Sequence, residues 1–456
     1  MMQLIVDTTQ QKLARKDGQP FFWLGDTAWE LVNKLTLQEI EHYLSLRAQQ
    51  GFTVIQTVVL AEMNGLKSGN AYGRMPLKQN SEGMYDPMIP DVDEASHYWT
   101  HLDAIMALAE QFGLYIALLP TWGDKFNLAH GIGPVIFNEH NAFDYGQWLG
   151  ERYKHRDNLV WVLGGDRKLE TYAHFSVVRR MAQGLRAGGS GRHLQTFHPA
   201  GEQSSSLQVH DEHWLDFNMI QSGHGKPPIP NHRRVLHDIQ RMPSKPTLDA
   251  EPCYEDLPIA FNPENGYFDA SDTRKAAYCA VLAGAFGHTY GHQSVWCMNT
   301  VPDTYSLYTW KEALQRPGAW QMRHVRTLMM HFSDSKRQND TRLLIDNPRG
   351  ANEMIATRGL DFSLVYNPNG LPMKVYQQEL THTEQQFYWY DPRLGHLHKA
   401  VPKTEGEVLH FRPPSSGRGH DWVLIAAGSK RITRLIRNIS DFFILNEGEK
   451  REEEIV

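Results

Sequence analysis

Two carboxylates stand where apolar runs end. Trp161-Val162-Leu163-Gly164-Gly165-Asp166 reads as a buried strand closing on two glycines and an acid. Pro246-Thr247-Leu248-Asp249-Ala250-Glu251-Pro252 ends the same way, and Pro252 restricts how the chain leaves. In a parallel β/α array the strand C-termini open onto the active site. Asp166 and Glu251, at the ends of the fourth and seventh strands, are therefore expected to face each other across a cleft. Such a pair suits cleavage of a glycosidic bond. One group protonates the leaving oxygen while the other attacks the anomeric carbon. The competing reading of Asp166 is a cap on the next helix. Asp249 competes with Glu251 as nucleophile. Strand alternation places both on one face, with Glu251 nearer the top.

Further polar and aromatic residues fall at expected strand ends. Asp26 and Trp29 follow the first strand; Asp26 could hold sugar hydroxyls and Trp29 could stack on a ring. Thr121, Trp122, Asp124 and Lys125 follow the third. Phe197 and His198 end the fifth, Gln221 and His224 the sixth, Tyr254 the seventh, and His288 to His292 the eighth. The substrate-binding candidates are Asp26, Trp29, Trp122, Asp124, His198, Gln221, His224, Tyr254, His288 and His292. For each alone, a turn or core role is the competing reading.

The 23 histidines raise the question of a metal. Metal-dependent barrels of the amidohydrolase kind usually end the first strand in His-x-His, and here that place reads Gly25-Asp26-Thr27. His288-Thr289-Tyr290-Gly291-His292 has no carboxylate-rich motif beside it. No metal and no cofactor is expected. Neither a Gly-x-Gly-x-x-Gly loop after the first strand nor a Gly-x-Ser-x-Gly elbow occurs.

Positioning these residues calls for a (β/α)8 barrel. Eight short apolar runs read as strands: 21–28, 52–60, 114–122, 159–166, 193–198, 216–222, 246–251 and 285–290. Between them run helical patterns. Thr36-Leu37-Gln38-Glu39 is a capping box, and Trp99, Leu102, Ile105, Met106 and Ala109 recur at helical spacing. The stretch from Ala61 to Val92 is an unusually long connection at the active-site end. After residue 335 short β-like runs take over, with turns at Asn367-Pro368-Asn369-Gly370 and Asp391-Pro392. The expected fold class is α/β, a TIM barrel (1–335) followed by a small all-β sandwich (336–430), then a helical or disordered tail (431–456).

Bulk properties agree with a globular enzyme. Of 456 residues, 41% are hydrophobic and 21% charged, and the net charge of -6 gives no electrostatic footprint for nucleic acid. Three cysteines make no disulfide framework. Neither a signal peptide nor an 18-residue apolar span is seen, so the expectation is a cytoplasmic protein with no membrane partner. The expected partner is an oligosaccharide or glycoside.

The chain resembles the apiosidase-like glycoside hydrolases of family 140, which carry a C-terminal domain labelled collagen-binding. The resemblance rests on Phe22-Trp23-Leu24-Gly25-Asp26-Thr27-Ala28-Trp29, the strand ending in Asp166, Asp249-Ala250-Glu251-Pro252, Gly284-Ala285-Phe286-Gly287-His288-Thr289-Tyr290-Gly291 and Pro317-Gly318-Ala319. It covers nearly the whole chain to about residue 430. It implies a (β/α)8 catalytic domain, Asp166 as acid/base, Glu251 as nucleophile, and release of the branched pentose apiose from plant material.

Overall fold

The computed structural model describes residues 1–63, 65–380 and 385–439. Eight parallel strands form the barrel: β1 (Trp23–Thr27), β2 (Val54–Leu60), β3 (Tyr115–Thr121), β4 (Leu159–Gly164), β5 (Gln195–His198), β6 (Asn218–Gln221), β7 (Thr247–Asp249) and β8 (Gly287–Tyr290). Their hydrogen-bonded order runs β6-β7-β8-β1-β2-β3-β4-β5. The seam between β5 and β6 is closed by other bonds. Asp216 N donates to Gln195 O, and Thr196 Oγ1 donates to Phe217 O. All eight expected strands are present, each a few residues shorter than its apolar run.

Helices cover the barrel: α1 (Leu37–Gln49), α2 (Tyr98–Gln111), α3 (Glu139–Tyr153), α4 (Tyr172–Gly188), α5 (Asn231–Ile239), α6 (Ala270–Ala283) and α7 (Pro317–His331). The expected capping box forms at α1, where Thr36 accepts from Glu39 N and Glu39 returns the bond. Between β5 and β6 no full helix forms. A two-residue strand, Gln203–Ser204, pairs antiparallel to β6, and a single 3-10 turn, Ser205–Leu207, follows.

Strand alternation sorts the core into two layers. Trp23, Val54, Val58, Tyr115, Ala117, Leu119, Val160, Val162, Met219, Leu248 and Ala250 pack together inside the barrel. Leu24, Ile55, Val59, Ile116, Leu118, Trp161, Leu163 and Ile220 face outward under the helices. Strands buried on both faces are the norm for parallel sheets.

The long connection after β2 is ordered by a hairpin, Leu77–Gln79 with Tyr85–Pro90. Beyond the barrel, six antiparallel strands form one sheet and four form another. Ala356, Val365, Trp422 and Leu424 face the smaller sheet. On the other face Ile355, Leu364, Tyr366 and Ile425 join the barrel core. The sandwich is therefore a brace on the barrel's flank. Tyr278 of α6 stacks on Tyr366 at 5.2 Å, and Arg274 pairs with Asp421 at 2.6 Å. Residues 429–439 are helical, and Ile432, Leu435 and Ile439 are buried in the shared core. The rest of the expected tail, 440–456, lies outside the described residues. Among the described residues, no helix is long and apolar enough to cross a membrane.

Candidate active site

Asp166 and Glu251 meet in one cleft of about 160 Å³ at the C-terminal end of the barrel. Trp29, Trp122, Gln221, His224 and Tyr254 also line it. Both carboxylates reach the cleft because the backbone breaks strand alternation just before them.

Before Asp166 the chain takes three consecutive left-handed residues: Gly164 (φ 92°), Gly165 (φ 106°) and Asp166 itself (φ 55°). A side chain at Gly164 would place its Cβ 2.4 Å from His198 O, and one at Gly165 would fall 2.7 Å from Gly123 N. Only glycine satisfies both the conformation and the space. A non-glycine residue held at positive φ, as Asp166 is, costs energy and is typical of functional positions. Asp166 is not a helix cap; Thr171 caps α4.

Before Glu251 the regular ladder stops: β7 ends at Asp249, and the N–H groups of Ala250 and Glu251 share one acceptor, Ile220 O, at 2.8 and 3.3 Å. Alternation therefore does not carry through from Asp249 to Glu251, contrary to the sequence expectation. Leu248 and Ala250 point into the barrel, so Asp249 points out. Its Oδ2 accepts from Ser222 Oγ (2.9 Å) and Asn231 Nδ2 (2.8 Å). Asp249 is a strand-to-helix tie.

The two cleft carboxylates have opposite environments. Burial raises Asp166 to about 6, and the negative charge of Glu251 adds to the rise. Burial would raise Glu251 too. It is outweighed by two imidazoles, which hold Glu251 well below the ordinary carboxylate range. His224 Nε2 lies 3.2 Å from Oε1 and His198 Nε2 lies 2.9 Å from Oε2. The His198 contact is close but off the hydrogen-bond direction. The Tyr254 hydroxyl also sits beside Glu251. This leaves one carboxyl protonated and one ionised at mildly acidic pH, the division that acid/nucleophile chemistry uses.

His198 lies fully buried beneath Glu251, edge-on to Trp29 with ring centroids 5.3 Å apart. Four other sequence candidates lie outside the cleft. Asp26 alternates outward from Trp23 and Gly25 and is sealed under α1, where Arg47 Nε (2.7 Å) and the Tyr43 hydroxyl bond it. Asp124 turns away to pair with Lys125 Nζ (2.6 Å) and to accept from Gly133 N (2.8 Å). His288 is fully buried on the outward face of β8, has no hydrogen-bond partner among the described residues, and is held neutral by burial, near 3. His292 Nε2 donates to Asp256 Oδ2 at 2.9 Å, and its Nδ1 accepts from Ser294 N, capping a short helix. All four are buried structural groups. Alternation on β1 and β8 already assigned Asp26 and His288 to the outer layer.

Six lining residues escaped the sequence reading: Glu62, Leu257, Phe261, Gln293, Trp296 and Tyr305. Glu62 lies in the long loop already placed at this face. Phe261 is 59% exposed at the rim and follows Ala260 in a left-handed pair (φ 52° and 60°). No pattern in the sequence marks it. Among the described residues no cluster of three His, Cys, Asp or Glu side chains could hold a metal ion.

A β/α barrel with a carboxyl just past β4 and a hydrogen-bonded carboxylate after β7 fits the class that the comparisons show: the protein is a glycoside hydrolase. Residues 7–334 match the family model "Apiosidase-like, catalytic domain", and residues 339–427 match "Putative collagen-binding domain of a collagenase". The chain belongs to the apiosidase-like family. It is similar to a crystal structure described as a glycoside hydrolase family 5 protein from Bacteroides vulgatus. The two are 33% identical over 94% of each chain, with a TM-score of 0.84. A second structure, described only as a glycoside hydrolase, is 32% identical, covers 94% of this chain and 97% of its own, and has a TM-score of 0.83. No curated protein matches the chain.

Proposed function

We propose that the protein is an exo-acting, retaining glycosidase that releases a terminal sugar, apiose, from plant-derived oligosaccharides. One observation carries the two-carboxylate reading: in the same small cleft burial raises Asp166 while two imidazoles hold Glu251 low; Glu251 as nucleophile, hence retention, and apiose as the sugar follow the family resemblance. Asp166 then protonates the departing oxygen as Glu251 attacks the anomeric carbon. Asp166, now ionised, takes a proton from the water that releases the sugar. A cleft of about 160 Å³ suits a single sugar ring, which favours attack at a chain end. Trp29 and Trp122 supply apolar faces for that ring, and Gln221 supplies hydrogen bonds.

The test is hydrolysis of nitrophenyl glycosides and apiose-containing oligosaccharides, with Glu251→Gln as control. Release of one sugar with its anomeric configuration kept, lost in the variant, is the expected result. Inversion, or full activity in Glu251→Gln, overturns the nucleophile role. Release of another sugar, such as arabinofuranose or galactose, overturns only the apiose assignment.

A further inference from the structure

We propose that Glu62 and Arg167 form a positioning clamp on Asp166, in which Arg167 orients the acid and Glu62 offsets the arginine's charge. The inference rests on the reading of Asp166 as the acid. Arg167 is 4% exposed. Its Nη1 donates to Asp166 O (2.8 Å) and Oδ2 (3.2 Å), and its Nη2 donates to Glu62 Oε1 (2.9 Å). The seat for this guanidinium is built by the loop after β3. A Cβ on Gly123 would lie 2.6 Å from Arg167 Cγ, and one on Gly131 would lie 3.0 Å from Nη2. Glu62 arrives from a separate element, two residues beyond β2.

The physical problem this solves is specific. A bare cation 3.2 Å from a carboxylate favours its ionised form and would strip an acid of the proton it must donate. Glu62 supplies the opposite charge to the same guanidinium, so hydrogen-bond orientation is kept at part of that cost. The charged groups facing Asp166 are Arg167 on its own segment, Glu62 after β2, His198 at the end of β5 and Glu251 after β7. Behind Glu62 stand Lys125, already paired with Asp124, and the buried Glu30, which accepts from Met63 N. Neither of these touches Asp166.

The test needs no substrate. The Asp166 carboxyl is titrated by carbon-13 NMR in aspartate-labelled full-length protein and assigned by its loss in Asp166→Asn. In Glu62→Gln the midpoint should fall by about one pH unit, so that the protonated share at pH 7 drops about tenfold. A double variant, Glu62→Gln with Arg167→Gln, should bring the midpoint back near wild type. On an oligosaccharide or alkyl glycoside the wild type cleaves, whose leaving oxygen needs a proton, the alkaline limb of kcat/KM should move by the same amount. An unmoved midpoint in folded Glu62→Gln, or a fall that persists in the double variant, overturns the clamp. Unimpaired hydrolysis by Asp166→Asn would instead overturn the acid role, and the NMR midpoints would still judge the clamp.

Discussion

Replacing Asp166 separates its proton from its backbone. Asp166 sits at φ 55°, a conformation that Asn tolerates nearly as well as Asp, whereas Ala does not. Asp166→Asn therefore removes only the proton, and Asp166→Ala adds about 1–2 kcal/mol of backbone cost. General acid catalysis contributes about 10²–10⁴ in rate, or roughly 3–5 kcal/mol at 1.36 kcal/mol per tenfold. That whole loss should appear with oligosaccharides and alkyl glycosides, whose leaving oxygens need a proton. A dinitrophenyl glycoside leaves without one, so its glycosylation step should be nearly unchanged. Its turnover should then stall at release of the enzyme-bound sugar, and added azide should restore it as glycosyl azide. Rates with both leaving groups, and melting curves of both variants, measure these effects. Wild-type rates for Asp166→Asn on an unactivated glycoside would refute the acid role. Equal stability of the Ala and Asn variants would refute the strain argument.

Three further outcomes follow from the structure. The proposed mechanism needs Asp166 protonated, and it stands at about 6, so kcat/KM should fall as pH rises through about 6; Glu251 is held low, so the acid limb should lie below the ordinary carboxylate range. Asp26→Ala leaves the fully buried Arg47 without its carboxylate and should cost about 3–5 kcal/mol in denaturant unfolding. The fraction that stays folded should keep wild-type KM, since Asp26 lies outside the cleft. Arg274→Ala strands the buried Asp421 at the barrel–sandwich junction; hydrogen exchange should rise first in the strands at 362–367 and 422–427, with the barrel strands following only at global unfolding.

Much of the site was legible in the chain. Apolar runs of strand length, each closed by a carboxylate, placed Asp166 and Glu251 at the same end of a parallel barrel, because parallel β/α units point every strand the same way. Trp122, Gln221, His224 and Tyr254 were placed by the same rule. Asp26 and His288 were misplaced because position along a strand was weighed without its parity. Asp124 and His292 were misplaced because a polar side chain in a loop takes whichever neighbour the tertiary fold brings near. The two-layered sandwich was visible as short β-like runs and turns, although its short edge strands at 397–399 and 403–405 carry too little apolar signal to announce themselves.

The sequence by itself determined the elements, their order and the chemistry available. Periodicity is local, and so are the two glycines that must precede Asp166. What only the tertiary structure decided is protonation and aim. Asp166 and Glu251 are separated by 84 intervening residues in the chain, and each owes its charge state to burial and to groups brought in from elsewhere: Glu251 beside Asp166, and His198 from β5 and His224 from beyond β6 beside Glu251. The shared acceptor Ile220 O, where the ladder stops before Glu251, is a contact between strands, which no single segment encodes. Burial and charge act through space, so the two carboxyls acquire different environments only when the barrel closes.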